Sequence, residues 1–490
     1  MKCNCTKVLF NSLDFALFLP IVFSLYWLTV SYLPKRSNFV VLAASYFFYG
    51  MWDWRFLSLI LFSTVLDYCL GIAISKQGQG HKRKRLLMLS VVANLGLLGV
   101  FKYYNFFMDS VQAAFSFAGH PFDFQALSIV LPVGISFYTF QTLSYTIDVY
   151  RNKMRPTHDF VAFASFVSFF PQLVAGPIER ATNLLPQFYS PREFRYGQAV
   201  DGMRQILWGL FKKMVIADGC AKYVDIIFES PASHNSSALA IGAILFAFQI
   251  YGDFSGYSDI AIGTARLFGF DLMQNFAFPY FSRDIAEFWR RWHISLSTWF
   301  RDYLYIPLGG SRGSIVKQLR NIAIIFIVSG FWHGANFTFI AWGAFHAALF
   351  IPLLLANKNR VNLQIVSPDS NMPSFADATK MISTFCLVSL GWILFRADSI
   401  SIASSYIADI PTLTLFDKPN FKEASSANTL YILILFFLMI EWMGRRGQYA
   451  IEFINRKIQR KARWAFYSFL IGLIGLFMKT EETPFIYFQF

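Results

Sequence analysis

Charged residues are scarce in this chain of 490 residues. Asp, Glu, Lys and Arg together make up 15% of it, whereas soluble domains carry about 25%. Hydrophobic residues reach 55% and aromatic residues 19%, which is more apolar surface than a water-soluble fold can hide. Intrinsic disorder is excluded as well, because it requires low hydrophobicity and high charge. The composition predicts an all-α polytopic membrane protein.

Cysteine is also rare. The five cysteines are odd in number and lack the spacing of metal ligands, so we expect neither a disulfide framework nor a zinc site. Cys3 and Cys5 are interpreted as incidental thiols. The sequence has no H-x-x-x-H or H-E-x-x-H spacing, no Walker loop and no G-x-S-x-G elbow. We therefore expect no metal site and no bound cofactor.

Basic residues outnumber acidic ones and give a formal net charge of +14. The cytoplasmic loops of membrane proteins collect Lys and Arg, so this excess predicts topology, and no nucleic-acid partner is expected. Basic loops at 35–36, 76–85 and 151–155 lie an even number of apolar runs apart, and loop 109–123 has no Lys or Arg. We predict a multi-pass protein in contact with membrane lipids, with both termini outside the cytoplasm.

Apolar runs recur along almost the whole chain and predict roughly ten to twelve membrane-spanning helices, because one span needs about 20 apolar residues. The shorter runs are predicted to be tilted or re-entrant pieces, which must be buried in protein or line a cavity. No linker rich in Gly, Ser or Pro divides the chain, so residues 1–490 are predicted to form one domain. The runs are Phe15–Leu33, Phe39–Met51, Phe56–Ile74, Leu86–Met108, Ala126–Ile147, Phe160–Val174, Gln205–Ala217, Leu239–Phe254, Ile322–Leu355, Met381–Phe395, Thr429–Trp442 and Trp464–Met478.

Two early stretches keep polar residues where burial makes them costly. In Leu131–Arg151 the hydroxyls and one amide are spread around the predicted helix, and we favour interhelical hydrogen bonding over a substrate role. In Phe170–Arg180 two prolines and a glycine break the helix. A broken helix at membrane depth normally lines a cavity, so Gln172 and Glu179 are predicted to face one.

A third polar stretch, Tyr251–Gly263, carries two carboxylates in an otherwise apolar helix. Gly252 and Gly256 lie four residues apart, which is typical of close helix packing. Packing does not explain Asp253 and Asp259, which are costly to bury without partners. Both are candidate substrate-contacting residues.

The fourth polar stretch, Pro279–Gly310, predicts an amphipathic helix with Ser282 as its N-cap. Arg290 and Arg291 lie off its apolar stripe, and His293 lies beside it. Tryptophan with arginine is typical of a helix in the membrane interface, so a lipid-headgroup anchor is one interpretation. A basic, aromatic seat for a phosphate-bearing donor is the other. The stripe consists of Ile285, Trp289, Trp292, Leu296, Trp299 and Tyr303.

Three histidines, at 293, 333 and 346, lie in or beside apolar segments. An ionisable residue such as His333 inside a membrane span indicates function, and Asn336 is placed to orient its ring. His346 is interpreted as structural. A neutral imidazole can take a proton from a hydroxyl at cellular pH. The residues alone are compatible with acyl transfer or with a proton-coupled transporter.

Several of these segments resemble the membrane-bound O-acyltransferase superfamily, with the bacterial alginate O-acetylation proteins as the most similar branch and teichoic-acid D-alanyl transfer proteins more distant. The resemblance covers most of the chain, with its core at residues 131–350. It implies an all-α ring of roughly ten to twelve membrane helices, with re-entrant and interfacial helices around a central tunnel. It also implies the bacterial inner membrane. The matching segments are LPVGISFYTFQTLSYTIDVYR, FFPQLVAGPIER, YGDFSGYSDIAIG, FWRRWHISLSTWFRDYLYIPLGG and FWHG.

The resemblance implies roles for single residues. His333 matches the family's catalytic histidine, a general base on an acceptor hydroxyl, and His293 matches a second histidine that orients donor or acceptor. The acyl donor is implied to be cytoplasmic acetyl-CoA or an acyl-carrier thioester, and the acceptor an extracytoplasmic polysaccharide. Asn336 is our candidate for an oxyanion donor. The other candidate tunnel or substrate residues are Gln172, Asp253, Asp259, Trp289, Arg290, Arg291 and Trp292.

The last residues, 484–490, carry four aromatic side chains after a polar break. They are similar to the F-x-Y-F motif of bacterial surface-acylation systems, which implies that Tyr487 relays the acyl group to a separate extracytoplasmic SGNH-like O-acetyltransferase. An interfacial aromatic anchor is the alternative for this segment. For the whole chain the alternatives are a polysaccharide or proton-coupled transporter, a non-catalytic scaffold, and D-alanyl or peptidoglycan acyl transfer.

Overall fold

The computed structural model of the chain describes residues 9–120, 122, 124, 126–127, 129–174, 176–478 and 485–486. These residues form helices and loops and contain no β-strand, as the composition predicts. The chain divides into two compact units. Unit 1 comprises Met1–Ala199 and Thr264–Leu272, and unit 2 comprises Val200–Gly263 and Met273–Phe490. A single domain over 1–490 stays a prediction.

Side-chain caps fix several helix starts in unit 1. Ser12 accepts a hydrogen bond from the backbone N–H of Phe15 (3.2 Å), and Asp159 accepts one from that of Ala162 (2.9 Å). A π-helical turn at Gly99–Tyr103 joins the fourth and fifth helices. The helices are α1 (Leu13–Tyr32), α2 (Ser37–Asp53), α3 (Leu57–Ser75), α4 (His81–Leu98), α5 (Tyr104–Phe117), α6 (Ile135–Tyr150), α7 (Phe160–Ser168), α8 (Phe170–Leu173) and α9 (Ala181–Leu184).

Buried polar side chains link α3, α4 and α6 in unit 1. Asp67 of α3 accepts hydrogen bonds from Ser90 Oγ (2.6 Å) and Asn94 Nδ2 (2.8 Å) of α4. Asn94 Oδ1 in turn accepts from Ser63 of α3 (2.8 Å) and Thr142 of α6 (3.3 Å). None of these side chains is more than 1% exposed. The interpretation of the α6 hydroxyls as interhelical hydrogen-bonding groups is therefore confirmed for Thr142.

The helix break predicted for Phe170–Arg180 is present in unit 1. α7 ends at Ser168, α8 is a single turn, and the chain continues without helix from Gly176 to Arg180. Gln172 is 2% exposed, and its Nε2 donates to the carbonyl of Phe166 (3.1 Å). Its Oε1 is buried and has no hydrogen-bond partner among the described residues. The broken helix is confirmed, whereas the role of Gln172 stays a prediction.

A long helix, α12, runs through the middle of the chain, and its residues up to Gly263 belong to unit 2. Two π-helical segments, Phe211–Ala217 and Arg301–Tyr305, follow α10 and α14. The remaining helices are α10 (Tyr196–Leu210), α11 (Asp218–Glu229), α12 (Ser236–Leu267), α13 (Ile285–Arg291), α14 (Ile294–Phe300), α15 (Ile315–His333), α16 (Phe337–Leu355), α17 (Phe375–Arg396), α18 (Ile400–Asp409), α19 (Asn428–Gly444), α20 (Ile454–Lys457) and α21 (Arg460–Phe477).

Glycines let α12 approach α10 closely within unit 2. A Cβ at Gly256 would lie 2.8 Å from the carbonyl oxygen of Gly209, and a Cβ at Gly209 would lie 2.6 Å from that of Gly256. Real Cβ atoms do not come this close, so both positions require glycine or a backbone shift. The packing interpretation of the glycines in Tyr251–Gly263 is confirmed.

Eight helical stretches among the described residues are long and apolar enough to cross a membrane. The chain is a multi-pass membrane protein. The number is below the expected ten to twelve, because α6 has only 16 residues and Phe160–Leu173 is also short. The eight are Leu13–Tyr32, Pro34–Ser75, which contains α2 and α3, His81–Phe117, Ser236–Leu267, Ile315–His333, Phe337–Leu355, Phe375–Arg396 and Ala424–Gly444.

Candidate active site

The amphipathic helix predicted from Ser282 onward is interrupted at His293. α13 ends at Arg291, α14 begins at Ile294, and His293 between them has a φ of 44°. Histidine is one of the few residues besides glycine that are enriched in this left-handed conformation. The prediction of a continuous helix is therefore wrong. The predicted N-cap is wrong too, because the side chain of Asp284, not Ser282, caps α13.

Asn275, which the sequence analysis missed, holds this break in place. Its Oδ1 lies 3.1 Å from His293 Nδ1 and accepts from both Oγ (2.9 Å) and the backbone N–H (3.3 Å) of Ser295. Its Nδ2 donates to Ser258 Oγ of α12 (3.1 Å), and its carbonyl accepts from the N–H of Ile294. A fully buried amide thus fixes the histidine backbone and ring together. No sequence motif marks this role.

The aromatic stripe of this segment faces protein. Trp292 and Leu296 are 1% exposed and Trp299 is 7% exposed. The break at His293 redirects the chain, so that Trp292 packs against Trp392 with ring centroids 4.9 Å apart. The lipid-headgroup interpretation is wrong for these buried residues. Trp289 is half-buried and also contacts protein, because its Nε1 lies 3.3 Å from His346 Nδ1.

The two candidate arginines are held by neighbouring protein groups. Arg290 donates to the carbonyls of Asn359 (2.9 Å) and Asn362 (2.8 Å). Arg291 is buried and pairs with Glu287 (2.7 Å). These contacts fix the start of the histidine-bearing segment. A direct role of either guanidinium in donor binding stays a prediction.

His333 ends α15 and is 3% exposed. The helix stops there, and after a short turn α16 begins, so the apolar run Ile322–Leu355 forms two helices. The His333 ring is surrounded by Trp332 (4.9 Å), Trp342 (5.2 Å) and Phe395 (5.4 Å), measured between ring centroids. The candidate base therefore lies in an aromatic, water-poor environment.

The structure brings His293 and His333 together, with ring centroids 6.4 Å apart. Asn275 Oδ1 accepts from a backbone N–H, so it is the oxygen, and His293 Nδ1 must carry the proton that it receives. The Nε2 of His293 is then an acceptor. It is buried, and no described residue hydrogen bonds to it. Burial lowers the pKa of His293 to about 3, so the ring is neutral at cellular pH.

His346, on α16, is enclosed by aromatic rings. It is fully buried, and Trp342 and Trp289 lie 4.9 and 5.0 Å from it, measured between ring centroids. These contacts support the structural interpretation of His346. Among the described residues no cluster of three or more His, Cys, Asp or Glu side chains is arranged to hold a metal ion.

Two adjacent lysines, also missed by the sequence analysis, pair with the aspartates of α12. Lys212 Nζ lies 2.5 Å from Asp259 Oδ2, and Lys213 Nζ lies 2.6 Å from Asp253 Oδ1. Lys213 also contacts Asp218 (2.8 Å). The lysines and the α12 aspartates are at most 8% exposed, so each buried charge has a partner. The sequence does contain a signal for these pairs. Two lysines interrupt the apolar run Gln205–Ala217, and buried charges of one sign require partners of the other.

The remaining candidates fall elsewhere. Asn336 caps α16: its Oδ1 accepts from the N–H of Thr338 (3.0 Å) and its Nδ2 donates to the carbonyl of Asp398 (3.0 Å). Its role as an oxyanion donor stays a prediction. Gln172 belongs to unit 1. Tyr487 lies outside the described residues, as do Cys3 and Cys5.

Comparison with known proteins gives consistent matches. The probable alginate O-acetylase AlgI of Pseudomonas aeruginosa is 40% identical over 453 residues, which cover 91% of this chain and 82% of the relative. The peptidoglycan O-acetyltransferase of Helicobacter pylori is 36% identical over 427 residues, covering 81% and 78%. The teichoic acid D-alanyltransferase of Streptococcus thermophilus is 30% identical over 227 residues, covering 44% and 54%.

The profile of the membrane-bound O-acyltransferase family matches residues 46–359, which include both histidines of the pair. This match covers most of the multi-pass helical chain. The similarity to the relatives from Pseudomonas aeruginosa and Helicobacter pylori covers more than three quarters of this chain and of each relative. The chain belongs to the membrane-bound O-acyltransferase family.

Proposed function

We propose that this enzyme moves an acetyl group from a cytoplasmic thioester, acetyl-CoA or an acyl carrier, for the O-acetylation of an extracytoplasmic polysaccharide in the bacterial inner membrane. The observation that carries the proposal is the buried pair of His293 and His333 inside a chain of this family. Relatives named for alginate and peptidoglycan acetylation favour a polysaccharide acceptor and an acetyl group. The basic loops support an orientation with the donor side in the cytoplasm and both termini outside it.

His333 acts as the general base in this proposal. The acceptor hydroxyl oxygen attacks the thioester carbonyl carbon while the imidazole takes the hydroxyl proton. The tetrahedral intermediate then collapses, the carbon–sulfur bond breaks, and the imidazolium returns its proton to the departing sulfur. An ester and a free thiol result. The aromatic surroundings of His333 exclude water, which limits hydrolysis of the thioester.

His293 orients a reactant. Its Nε2, to which no described residue hydrogen bonds, can accept a hydrogen bond from the incoming hydroxyl and aim the oxygen at the thioester carbon. Asn275 keeps the ring in the tautomer that leaves Nε2 free. Tyr487 is the proposed first acceptor, relaying the acetyl group to a separate SGNH-like transferase outside the membrane. That relay rests on the resemblance of residues 484–490 to the F-x-Y-F motif.

Labelled acetyl-CoA supplied to membranes that contain the chain tests the transferase reaction. We expect His333→Ala to lower label transfer by about 10²–10⁴-fold, the usual contribution of a general base. His158→Ala, an exposed loop histidine, is the matched control and should transfer as the wild type does. Equal transfer by wild type and His333→Ala would overturn the enzymatic proposal for this histidine.

Intact-mass analysis of the C-terminal peptide tests the relay separately. A trapped acetyl adduct is expected in the wild type and should be absent from Tyr487→Phe, which lacks the phenolic oxygen. If the adduct is missing from both and both still acetylate the acceptor, the relay fails while the transferase reaction stands.

A further inference from the structure

Two residues near the end of the sequence, Phe485 and Ile486, are buried in unit 2. They are 0% and 3% exposed, although the sequence just before them is polar. The Phe485 ring lies 4.7 Å from the ring of Tyr257 and 5.6 Å from that of Phe254, both on α12. An aromatic side chain in a pocket of two other rings supplies much of the energy by which a peptide segment docks.

The backbone of this segment is bound as well. The N–H of Ile486 donates to Asp253 Oδ2 (2.7 Å), while Asp253 Oδ1 accepts from Lys213 Nζ. A hydrogen bond to a buried carboxylate is among the stronger ones in proteins. Because it is made by a backbone N–H, it does not depend on which side chain residue 486 carries. Asp253 thus binds the backbone, and the aromatic pocket binds the ring of Phe485.

This docking position adjoins the histidine pair. Phe254 follows Asp253 on α12, and its ring centroid lies 4.6 Å from that of His293. His293 in turn lies beside His333. One aromatic ring therefore separates the docked residue 485 from the candidate reactive centre.

We propose that Asp253, supported by Lys213 and by the pocket of Phe254 and Tyr257, is a docking site for the segment of this chain that carries residues 485 and 486. Asp253 is a positioning residue, because it acts through the segment that it holds and not on the acyl group. Docking does not depend on the proposed function, whereas its consequence for acyl transfer does. A segment held in one place raises the effective concentration of whatever group it carries near His333.

Amide hydrogen exchange on the full chain in detergent, resolved to single residues by fragmentation, tests the docking. We expect the Ile486 amide to exchange slowly in the wild type and at least about tenfold faster in Asp253→Asn, as for a lost hydrogen bond to a charged group. Asp259→Asn is the matched control, since it disrupts the other buried aspartate–lysine pair of α12 and leaves both partners of the Ile486–Asp253 hydrogen bond in place. There the Ile486 amide should remain slow.

Two exchange results would overturn the docking site. One is a wild-type Ile486 amide that exchanges at the rate of an unstructured peptide. The other is equal acceleration in Asp253→Asn and Asp259→Asn, which would mean that Asp253 only stabilises α12.

A second variant pair avoids the buried charges, in case Asp253→Asn does not fold. Ile486→Pro removes the N–H donor and leaves Asp253 and Lys213 intact, whereas Ile486→Val keeps the donor. We expect Ile486→Pro to lower kcat for acetyl transfer at least about tenfold with the donor KM unchanged, and Ile486→Val to match the wild type. If exchange demonstrates docking but Ile486→Pro transfers normally, the relay through this segment is overturned and the docking site stands.

Discussion

A cluster of polar residues in unit 1 and another in unit 2 bury their side chains in different ways. In unit 1 the buried carboxylate of Asp67 is surrounded by neutral donors, Ser90 and Asn94, which are themselves bonded to other helices. In unit 2 the buried aspartates of α12 pair with lysines, and no described residue hydrogen bonds to Nε2 of His293. Both arrangements are costly to bury, but only the second leaves a reactive atom available.

This difference separates a stabilising network from a reactive one. A network whose members are all satisfied rigidifies the helices that carry it. A buried imidazole nitrogen without a protein partner costs stability, and beside a second candidate catalytic histidine it can be completed by a substrate group. We therefore expect mutations in the unit 1 network to change stability and mutations in the unit 2 histidine pair to change rate.

After the loss expected for His333→Ala, the largest expected effect is on the rate, at His293. His293→Ala removes the free Nε2 and should lower label transfer by about 10²-fold, because a hydroxyl is no longer aimed at the thioester. His346→Asn is the matched control: it replaces a buried histidine of the same unit and leaves an acceptor for Trp289. We expect it to transfer within about threefold of wild type. A loss in His346→Asn with none in His293→Ala would reverse the assignment of the two histidines.

The second effect is on stability, at Asp67 in unit 1. Asp67→Asn turns one acceptor oxygen into a donor that faces Ser90 or Asn94, so it should lower the free energy of unfolding by about 1–2 kcal/mol. The measurement is denaturant unfolding in mixed micelles. Asp14→Asn, on the exposed face of α1, should change it by less than about 0.5 kcal/mol. The transfer rate of folded Asp67→Asn should stay at the wild-type value, and a large loss of rate would break the distinction between the units.

The sequence predicts the helical membrane fold well, because composition and apolar runs depend only on the solvent. It also predicts the buried His333 and the close packing at Gly256, which follow from local pattern. It does not predict the break at His293. That break depends on Asn275, which contacts it through space and belongs to no recognisable motif. A seven-residue helix that ends before His293 has the same apolar spacing as a longer one, so periodicity alone misses the turn.

The partners of the aspartates are missed for a related reason. Spacing along α12 places Asp253 and Asp259 on a helix but says nothing about which other helix supplies the counter-charge. Lys212 and Lys213 lie in a π-helical segment, whose side-chain directions differ from those of an α-helix. Two basic residues in one apolar run and two acidic residues in another are the signal that would have matched the two lysines to the two aspartates.

A third expected effect is a pH dependence that comes from the buried imidazole of unit 2. Burial lowers the pKa of His293 to about 3 in the folded state, below its ordinary value of about 6.5. Between these values the unfolded chain binds a proton that the folded chain does not, so stability falls as the pH decreases from about 6.5. The slope contributed by this one group is at most about 1.4 kcal/mol per pH unit. We expect thermal unfolding in detergent to show a steeper loss between pH 7 and pH 5, about the range in which the unfolded imidazole protonates, for wild type than for His293→Gln. The exposed-site control His158→Gln should follow the wild type. Parallel profiles of stability against pH for wild type and His293→Gln would mean that burial does not keep the ring neutral. The assignment of Nε2 as a hydrogen-bond acceptor would then be wrong as well.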